Sequence, residues 1–246
     1  MELRVLGLYP EQMNIYADRG NILFLQRRCE WRGIGFVYDG AGPGESIDPA
    51  AHDLFYIGGG QDRDQRVVAA DLVETKRAAL AAAVDDGAAL LAVCGGYQLL
   101  GESYQLGEET LPGLGLADLR TVREEGPRLI GNVAIETELG GEKRLLAGFE
   151  NHGGRTYLGA TARPLGAVVK GHGFGNNGND GREGVWRDNM IGTYLHGPLL
   201  PKNAWLADHL IELALERRHG ERPRLEPLPD ELERAAEAST RAAAGV

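Results

Sequence analysis

The chain is poor in cysteine, in positive charge and in long apolar runs, and each shortage closes off a class of protein. Only two cysteines, Cys29 and Cys94, stand far apart in 246 residues. That excludes a disulfide framework and a thiolate zinc site, both of which need several closely spaced thiols. The 26 Lys and Arg are outnumbered by 36 Asp and Glu, for a formal charge of −10. Proteins that grip a phosphate backbone carry a basic face, so no nucleic-acid partner is expected. No apolar run approaches the ~18 residues of a membrane span, and MELRVLGLYP lacks the charged-then-apolar pattern of a leader. The chain reads as cytoplasmic. Glycine and proline stay below the ~25–30% that marks low-complexity disorder, and no internal repeat is found.

What is present is an alternation of strand-like and helix-like segments. Residues 1–8 suit a half-buried strand, and 18–32 an amphipathic helix stopped by Gly33. Short strands follow at 35–38 and 52–57, the second ending in Gly58-Gly59-Gly60, and an Ala-rich helix covers 65–86. The run 88–93 (AALLAV) is apolar throughout, as a strand buried on both faces of a parallel sheet must be. This order predicts an α/β fold: a mostly parallel central sheet flanked by helices. Residues 114–170 read instead as short strands and turns, an antiparallel add-on. The stretch 171–184 holds six glycines and three asparagines, a loop that needs positive φ angles. A late strand, MIGTYLH, ends in His196, and an amphipathic helix spans 202–219 before Gly220. One domain is expected over 1–220. Residues 221–246 then form a Pro-rich linker, a short helix opened by Asp230 and Glu233, and a frayed or partner-bound end.

The sharpest chemical feature is the apolar strand running into Cys94-Gly95-Gly96 and then a helix. A nucleophile on such a turn is held exposed, and the helix N-terminus is expected to lower its thiol pKa and offer N–H groups to an oxyanion. Cys29, inside a helix, reads as a structural cysteine. A thiolate needs a base. Of six histidines, His209 and His219 sit on or at the end of an amphipathic helix and read as structural, while His196 ends a strand, as Cys94 does. Chemistry in α/β sheets gathers at the carboxyl ends of strands, so His196 is the first candidate and His152 the second.

Here a resemblance becomes specific. AVCGGYQLLG resembles the nucleophile elbow of class I glutamine amidotransferases, whose fold is flavodoxin-like, and GTYLHGP resembles the histidine strand of their cobyric-acid-synthase-like branch. YPEQMNIYADRGN, the Gly58-Gly59-Gly60 turn, FENHGGRT and GFGNNGNDGREG together resemble a narrower family, the GatD glutaminase subunits of lipid II isoglutaminyl synthases. The resemblance runs over roughly residues 3–215 and implies a set of roles. Cys94 attacks the side-chain amide of L-glutamine and His196 carries the proton. Gly60 and Gly95 supply the oxyanion donors. Gln98 contacts substrate, and Arg128 binds the α-carboxylate with its bidentate fork; Asn151 and His152 line the pocket.

The family also implies a heterodimer with a MurT-like Mur-ligase subunit. That ligase would hold ATP and magnesium and amidate the D-glutamate of lipid II at the inner face of the cytoplasmic membrane. This chain is expected to hold no cofactor or metal. No Lys-Ser/Thr follows the 171–184 glycines as a P-loop requires, and 246 residues leave no room for a synthetase domain. One departure stands out: many class I enzymes have His-Pro-Glu, whereas this chain has His196-Gly197-Pro198. Without a carboxylate the imidazole tautomer is unfixed. Either a distant acid of this chain or one inserted by the partner must serve. The rival readings are the same chemistry for a cobyric-acid-type acceptor, another cysteine hydrolase, and a non-catalytic amidotransferase-like subunit. Neither the 171–184 loop nor Asp18-Arg19-Gly20-Asn21 has a catalytic rationale from sequence, and both read as interface or pocket scaffolding.

Overall fold

Strands β1 (Glu2–Leu8), β2 (Gly35–Ala41), β3 (Leu54–Ile57) and β4 (Ala89–Val93) build the first half of a central sheet in the computed structural model. The structure describes residues 1–15, 18–169 and 171–246; Tyr16 and Ala17 of the opening motif, and Lys170, lie outside the described residues. Helix α1 (Arg19–Glu30) connects β1 to β2. Between β3 and β4 run α2 (Asp62–Asp71), a π-helical turn at Leu72–Lys76, and α3 (Arg77–Asp85). The helix expected over 65–86 therefore starts earlier, where the Asp64 carboxylate accepts the Gln61 N–H at 3.2 Å. Its mid-point widens to turn Lys76 inward against Asp71 (2.6 Å), with the lysine side chain fully buried.

A six-residue helix, α4 (Gly95–Leu100), follows β4. Next come β5 (Ser103–Leu106), β6 (Glu109–Pro112), β7 (Leu119–Arg123), β8 (Leu129–Thr137), β9 (Arg144–His152), β10 (Gly154–Leu158), β11 (Gly166–Val168) and β12 (Arg182–Glu183). They form two four-stranded sheets, ordered β10-β7-β5-β6 and β12-β11-β8-β9. The add-on thus begins at Ser103 rather than 114, and β5 pairs β7 in parallel, the one exception to its antiparallel pairing. Strands β13 (Val185–Arg187) and β14 (Met190–Thr193) return to the central sheet, whose order is β13-β14-β4-β3-β1-β2. All its pairings are parallel except that of β13 at the edge. The interior strands β3 and β4 are buried at every residue, which is why LFYI and ALLAV carry no charged positions and the Tyr56 hydroxyl, the one polar group among their side chains, is hydrogen-bonded to Asn21.

Helix α5 (Ala204–His219) packs on this sheet and closes at Gly220, which takes a left-handed φ of 78°. The tail departs from expectation. Instead of fraying, 231–244 form one helix, α6 (Glu231–Ala244), seated on β8 and β9. Ala244 packs against Ala134 and Ala147, small residues that let the helix approach closely. Asn132 Nδ2 donates to the Ala243 carbonyl at 2.9 Å, and the linker is pinned by the buried Arg28 guanidinium, which bonds Asp208 and Asp230. Among the described residues no helix is long and apolar enough to cross a membrane.

Candidate active site

Cys94 occupies the point where β4 becomes α4, with φ 50° and ψ −105°. A non-glycine residue there is strained, and its bonds hold it in place. Its N–H donates to Thr193 of the neighbouring β14 (2.8 Å), and its carbonyl accepts the Gln98 N–H (3.1 Å). Gly96, two residues on, donates to the Gly58 carbonyl at 3.1 Å, which ties the elbow to the glycine turn after β3. The approach is too close for side chains: a Cβ on Gly96 would stand 2.5 Å from the Ile57 carbonyl oxygen. A Cβ on Gly95 would stand 2.7 Å from the Gly60 nitrogen. The two glycines expected as oxyanion donors therefore meet beside the thiol.

A cavity of about 390 Å³ opens here, lined among others by Gly60, Cys94, Gln98, Arg128, Asn151 and His152. It also draws in Ile15, Asp62, Gln65 and Tyr104, which sequence reasoning did not single out. The Arg128 guanidinium is docked on Asn151, with Nε donating to Oδ1 and an Nη to the main-chain carbonyl, both at 2.7 Å. Gln98 lines the cavity, but its amide is engaged inside the protein: Nε2 donates to the Tyr194 hydroxyl (3.1 Å), and Oε1 accepts from Gln65 (2.9 Å). His152 is buried, places Nδ1 2.8 Å from the Gly154 carbonyl, and stacks flat on Tyr194 with centroids 3.5 Å apart.

His196 lies three residues beyond the end of β14, the strand beside β4, and is not among the residues lining the cavity. Its main chain pairs with Phe149 in both directions, and the Phe149 ring meets the imidazole edge-on at 5.7 Å. Burial, reinforced by the positive charges of His152, Lys202 and Arg128, lowers its pKa to about 4, so the ring is neutral at pH 7 and suited to accept a proton.

The thiol corrects one expectation. Its pKa is not lowered but pushed up to about 12, chiefly by burial and then by the negative charge of Asp18, with Asp62 adding to it. The Gly95 N–H and Arg128 pull the other way and lose. A helix of only six residues offers little dipole to offset full burial. The resting site therefore holds a thiol, not a thiolate.

The glycine- and asparagine-rich loop braces the strand that leads to His196. All six of its glycines take positive φ, folding the chain around two buried carboxylates. Glu150 accepts the N–H groups of Phe174 (2.6 Å) and Gly175 (2.9 Å). Glu183 accepts from the Tyr194 N–H (2.6 Å) and the Thr193 hydroxyl (3.0 Å). Asn176 bonds the Tyr97 hydroxyl at 3.0 Å, joining the loop to the nucleophile helix. No sequence signal foretold this, because Glu150 comes from β9, distant in sequence, and Glu183 at the loop's own end finds its partners on β14 and the residue after it. Among the described residues no group of three or more His, Cys, Asp or Glu is arranged to hold a metal ion.

Comparison with known proteins fits this architecture. The family model for the CobB/CobQ-like glutamine amidotransferase domain matches residues 4–204. The GatD subunit of lipid II isoglutaminyl synthase (glutamine-hydrolyzing) from Staphylococcus aureus (strain N315) is 41% identical over 218 residues, covering 88% of this chain and 86% of that one. The GatD subunit from Streptococcus pneumoniae (strain ATCC BAA-255 / R6) is 38% identical over 221 residues, covering 89% and 83%. A cobyric acid synthase from Rhodobacter capsulatus is 38% identical over 165 residues, but these are 63% of this chain and only 32% of that one. The glutaminase domain of Trypanosoma brucei CTPS superposes with a TM-score of 0.54 at 9% identity, over 91% of this chain and 96% of that one. PurLQS from Thermotoga maritima gives 0.53 at 19%, over 80% and 88%; both likenesses speak to the fold alone. The chain belongs to the CobB/CobQ-like glutamine amidotransferases and, within them, to the group of GatD glutamine-hydrolysing subunits.

Proposed function

We propose that this chain is the glutaminase subunit of a lipid II isoglutaminyl synthase. The observation that carries the reading is the cavity in which Cys94, the Gly60 turn, Arg128 and Asn151 converge. Glutamine enters with its α-carboxylate on the Arg128 guanidinium, a planar fork matched to that group. His196 takes the Cys94 proton as Sγ attacks the side-chain amide carbon, and the oxyanion that forms is met by the N–H groups of Gly95 and Gly60. His196 returns the proton to the leaving nitrogen, and ammonia departs. Water, deprotonated by His196, then cleaves the thioester, so glutamate leaves and the thiol is restored.

A resting thiol held near pKa 12 makes a poor nucleophile, which suits a site meant to fire only when its product has a destination. The destination in this reading is a MurT-type ligase bound as a heterodimer, which activates the D-glutamate carboxyl of lipid II with ATP and magnesium and converts it to D-isoglutamine. This is peptidoglycan chemistry at the inner face of the membrane, bearing on cell shape. With Gly-Pro following His196 where many relatives of the class place Pro-Glu, the partner supplies the carboxylate that orients the imidazole.

Ammonia release from glutamine, measured for wild type and Cys94→Ala with and without a co-expressed MurT-type ligase, tests the reading. Cys94-dependent release that rises at least tenfold with the ligase, together with ligase-dependent amidation of lipid II, is the expected result. Release that ignores Cys94 would refute the assignment. Equal release with and without the ligase would refute completion by the partner.

A further inference from the structure

Asp18 stands at the N-cap position of α1, where an aspartate ordinarily bonds the first N–H groups of its own helix. Here it makes no such bond. Its side chain is fully buried and turned to the glycine turn, where Oδ2 accepts the Gly59 N–H at 2.6 Å. Oδ1 is buried and, among the described residues, has no hydrogen-bond partner. Gly59 is wedged between this carboxylate and the nucleophile: a Cβ placed on it would stand 2.9 Å from Asp18 Oδ2 and 3.4 Å from Cys94 Cβ. A buried carboxylate with one unmatched oxygen is costly, so a position that keeps one beside the nucleophile has a use for it.

The turn's hydrogen bonds show what that use is. The Gly59 carbonyl accepts the Ile15 N–H at 3.2 Å, so residue 59 is clamped at both ends by the segment that precedes α1. In a trans peptide the N–H points opposite to the preceding carbonyl. With the Gly59 carbonyl directed at Ile15, the Gly60 N–H is directed away from it; its nitrogen lies beside Gly95, 2.7 Å from where a Cβ on that glycine would stand, and among the described residues the N–H has no acceptor. Gly58 is held in turn by Gly96.

We propose that Asp18 is the positioning residue of the oxyanion hole: by holding the Gly59 N–H it fixes the Gly58–Gly59 peptide, and with Ile15 holding the Gly59 carbonyl this sets the rotation of residue 59 so that the Gly60 N–H faces the amide oxygen of the substrate. This rests on the glutaminase reading above and adds to it a residue that never touches substrate. It also gives the Asp18-Arg19-Gly20-Asn21 segment a part in the chemistry, since that segment carries the clamp into the first turn of α1.

The test compares Asp18→Ala, Asp18→Leu and Asp18→Asn in the full chain, with the co-expressed MurT-type ligase present and absent. Three quantities are read: kcat and KM for glutamine hydrolysis, and the rate of Cys94 alkylation by iodoacetamide, a displacement at carbon that builds no oxyanion. Loss of a well-placed oxyanion donor costs about 100-fold or more in kcat. Asp18→Ala and Asp18→Leu are expected to lose about that much in kcat, with KM within roughly threefold of wild type and alkylation no slower than wild type, since loss of the Asp18 charge can only ease ionisation of the thiol. Leu fills the space without an acceptor, so agreement of the two excludes a cavity artefact. Asn keeps an oxygen for the Gly59 N–H and is expected to stay within about tenfold of wild type.

A kcat within threefold of wild type in the Ala and Leu variants would overturn the proposal. So would an alkylation rate that falls in step with kcat, which would put the effect on the thiol, or an Asn variant as impaired as Ala. Glutaminase activity that survives Cys94→Ala would overturn the parent reading, and this proposal with it. Cys94-dependent activity indifferent to Asp18 overturns this proposal alone.

Discussion

Replacing Cys94 by glycine is expected to make the protein more stable than replacing it by alanine. At ordinary helix positions the order is the reverse, with glycine about 1 kcal/mol worse. At position 94 the φ of 50° lies on the left-handed side, and the ψ of −105° carries it outside even the left-handed well. A residue with a Cβ pays about 1–3 kcal/mol for such a conformation, and the bonds to Thr193, Gln98 and, through Gly96, to Gly58 keep it from relaxing. Alanine keeps that strain, and the loss of the buried sulfur, about 1 kcal/mol, is common to both variants and cancels. Glycine removes the strain but loses roughly 0.5–1 kcal/mol in backbone entropy. The difference, about 1 kcal/mol in favour of glycine, corresponds to about 2–4 °C in Tm for a chain of this size. Urea unfolding midpoints of the two variants, both without glutaminase activity, give the answer directly. A glycine variant about 1 kcal/mol less stable than the alanine variant would show that Cys94 is unstrained and refute the elbow argument.

Arg128→Ala is expected to raise the glutamine KM about 10- to 100-fold with kcat changed only a few-fold, the loss of one charge-assisted contact; Arg128→Lys, which lacks the fork, is expected to recover part of it, and initial-rate kinetics check both. Gly96→Ala drives a Cβ to 2.5 Å from the Ile57 carbonyl oxygen and 2.8 Å from its Cγ2, neither of which is a mobile side-chain tip. About 1–3 kcal/mol of destabilisation is expected from urea unfolding. His209 has its pKa lowered to about 4 by burial, with Arg222 and Arg144 adding to it. An unfolded histidine takes its proton near 6.5, so this contribution is whole above pH 6.5 and is lost as pH falls toward 4. His209→Gln is therefore expected to flatten the decline of Tm between pH 6.5 and 4 relative to wild type, and a parallel decline in both would contradict the assignment.

Much of this protein is written in local pattern. AALLAV had to be a strand buried on both faces, because no polar residue interrupts it, and a cysteine followed by two glycines had to turn there. The alternation of such runs with amphipathic segments determined the parallel sheet, and strand ends determined where chemistry gathers. Arg128 and Asn151 were named from a resemblance and His152 first as the second candidate base, and the cavity brings them to one place with Cys94. What sequence left undecided were quantities and partnerships set by long-range packing. The thiol pKa rises because burial outweighs a short helix, and burial is a property of everything folded over β4. The loop at 171–184 is held by Glu150 of β9 and, through its own Glu183, grips Thr193 and Tyr194, partners it meets only in the finished fold. The Ala-rich tail looked free because alanine gives no strong apolar signal, yet the same small side chains let α6 settle against Ala134 and Ala147. Asp18 read in sequence as the start of a helix and as interface or pocket scaffolding, and only the tertiary structure, by bringing Gly59 within 2.6 Å, turned its carboxylate toward the nucleophile.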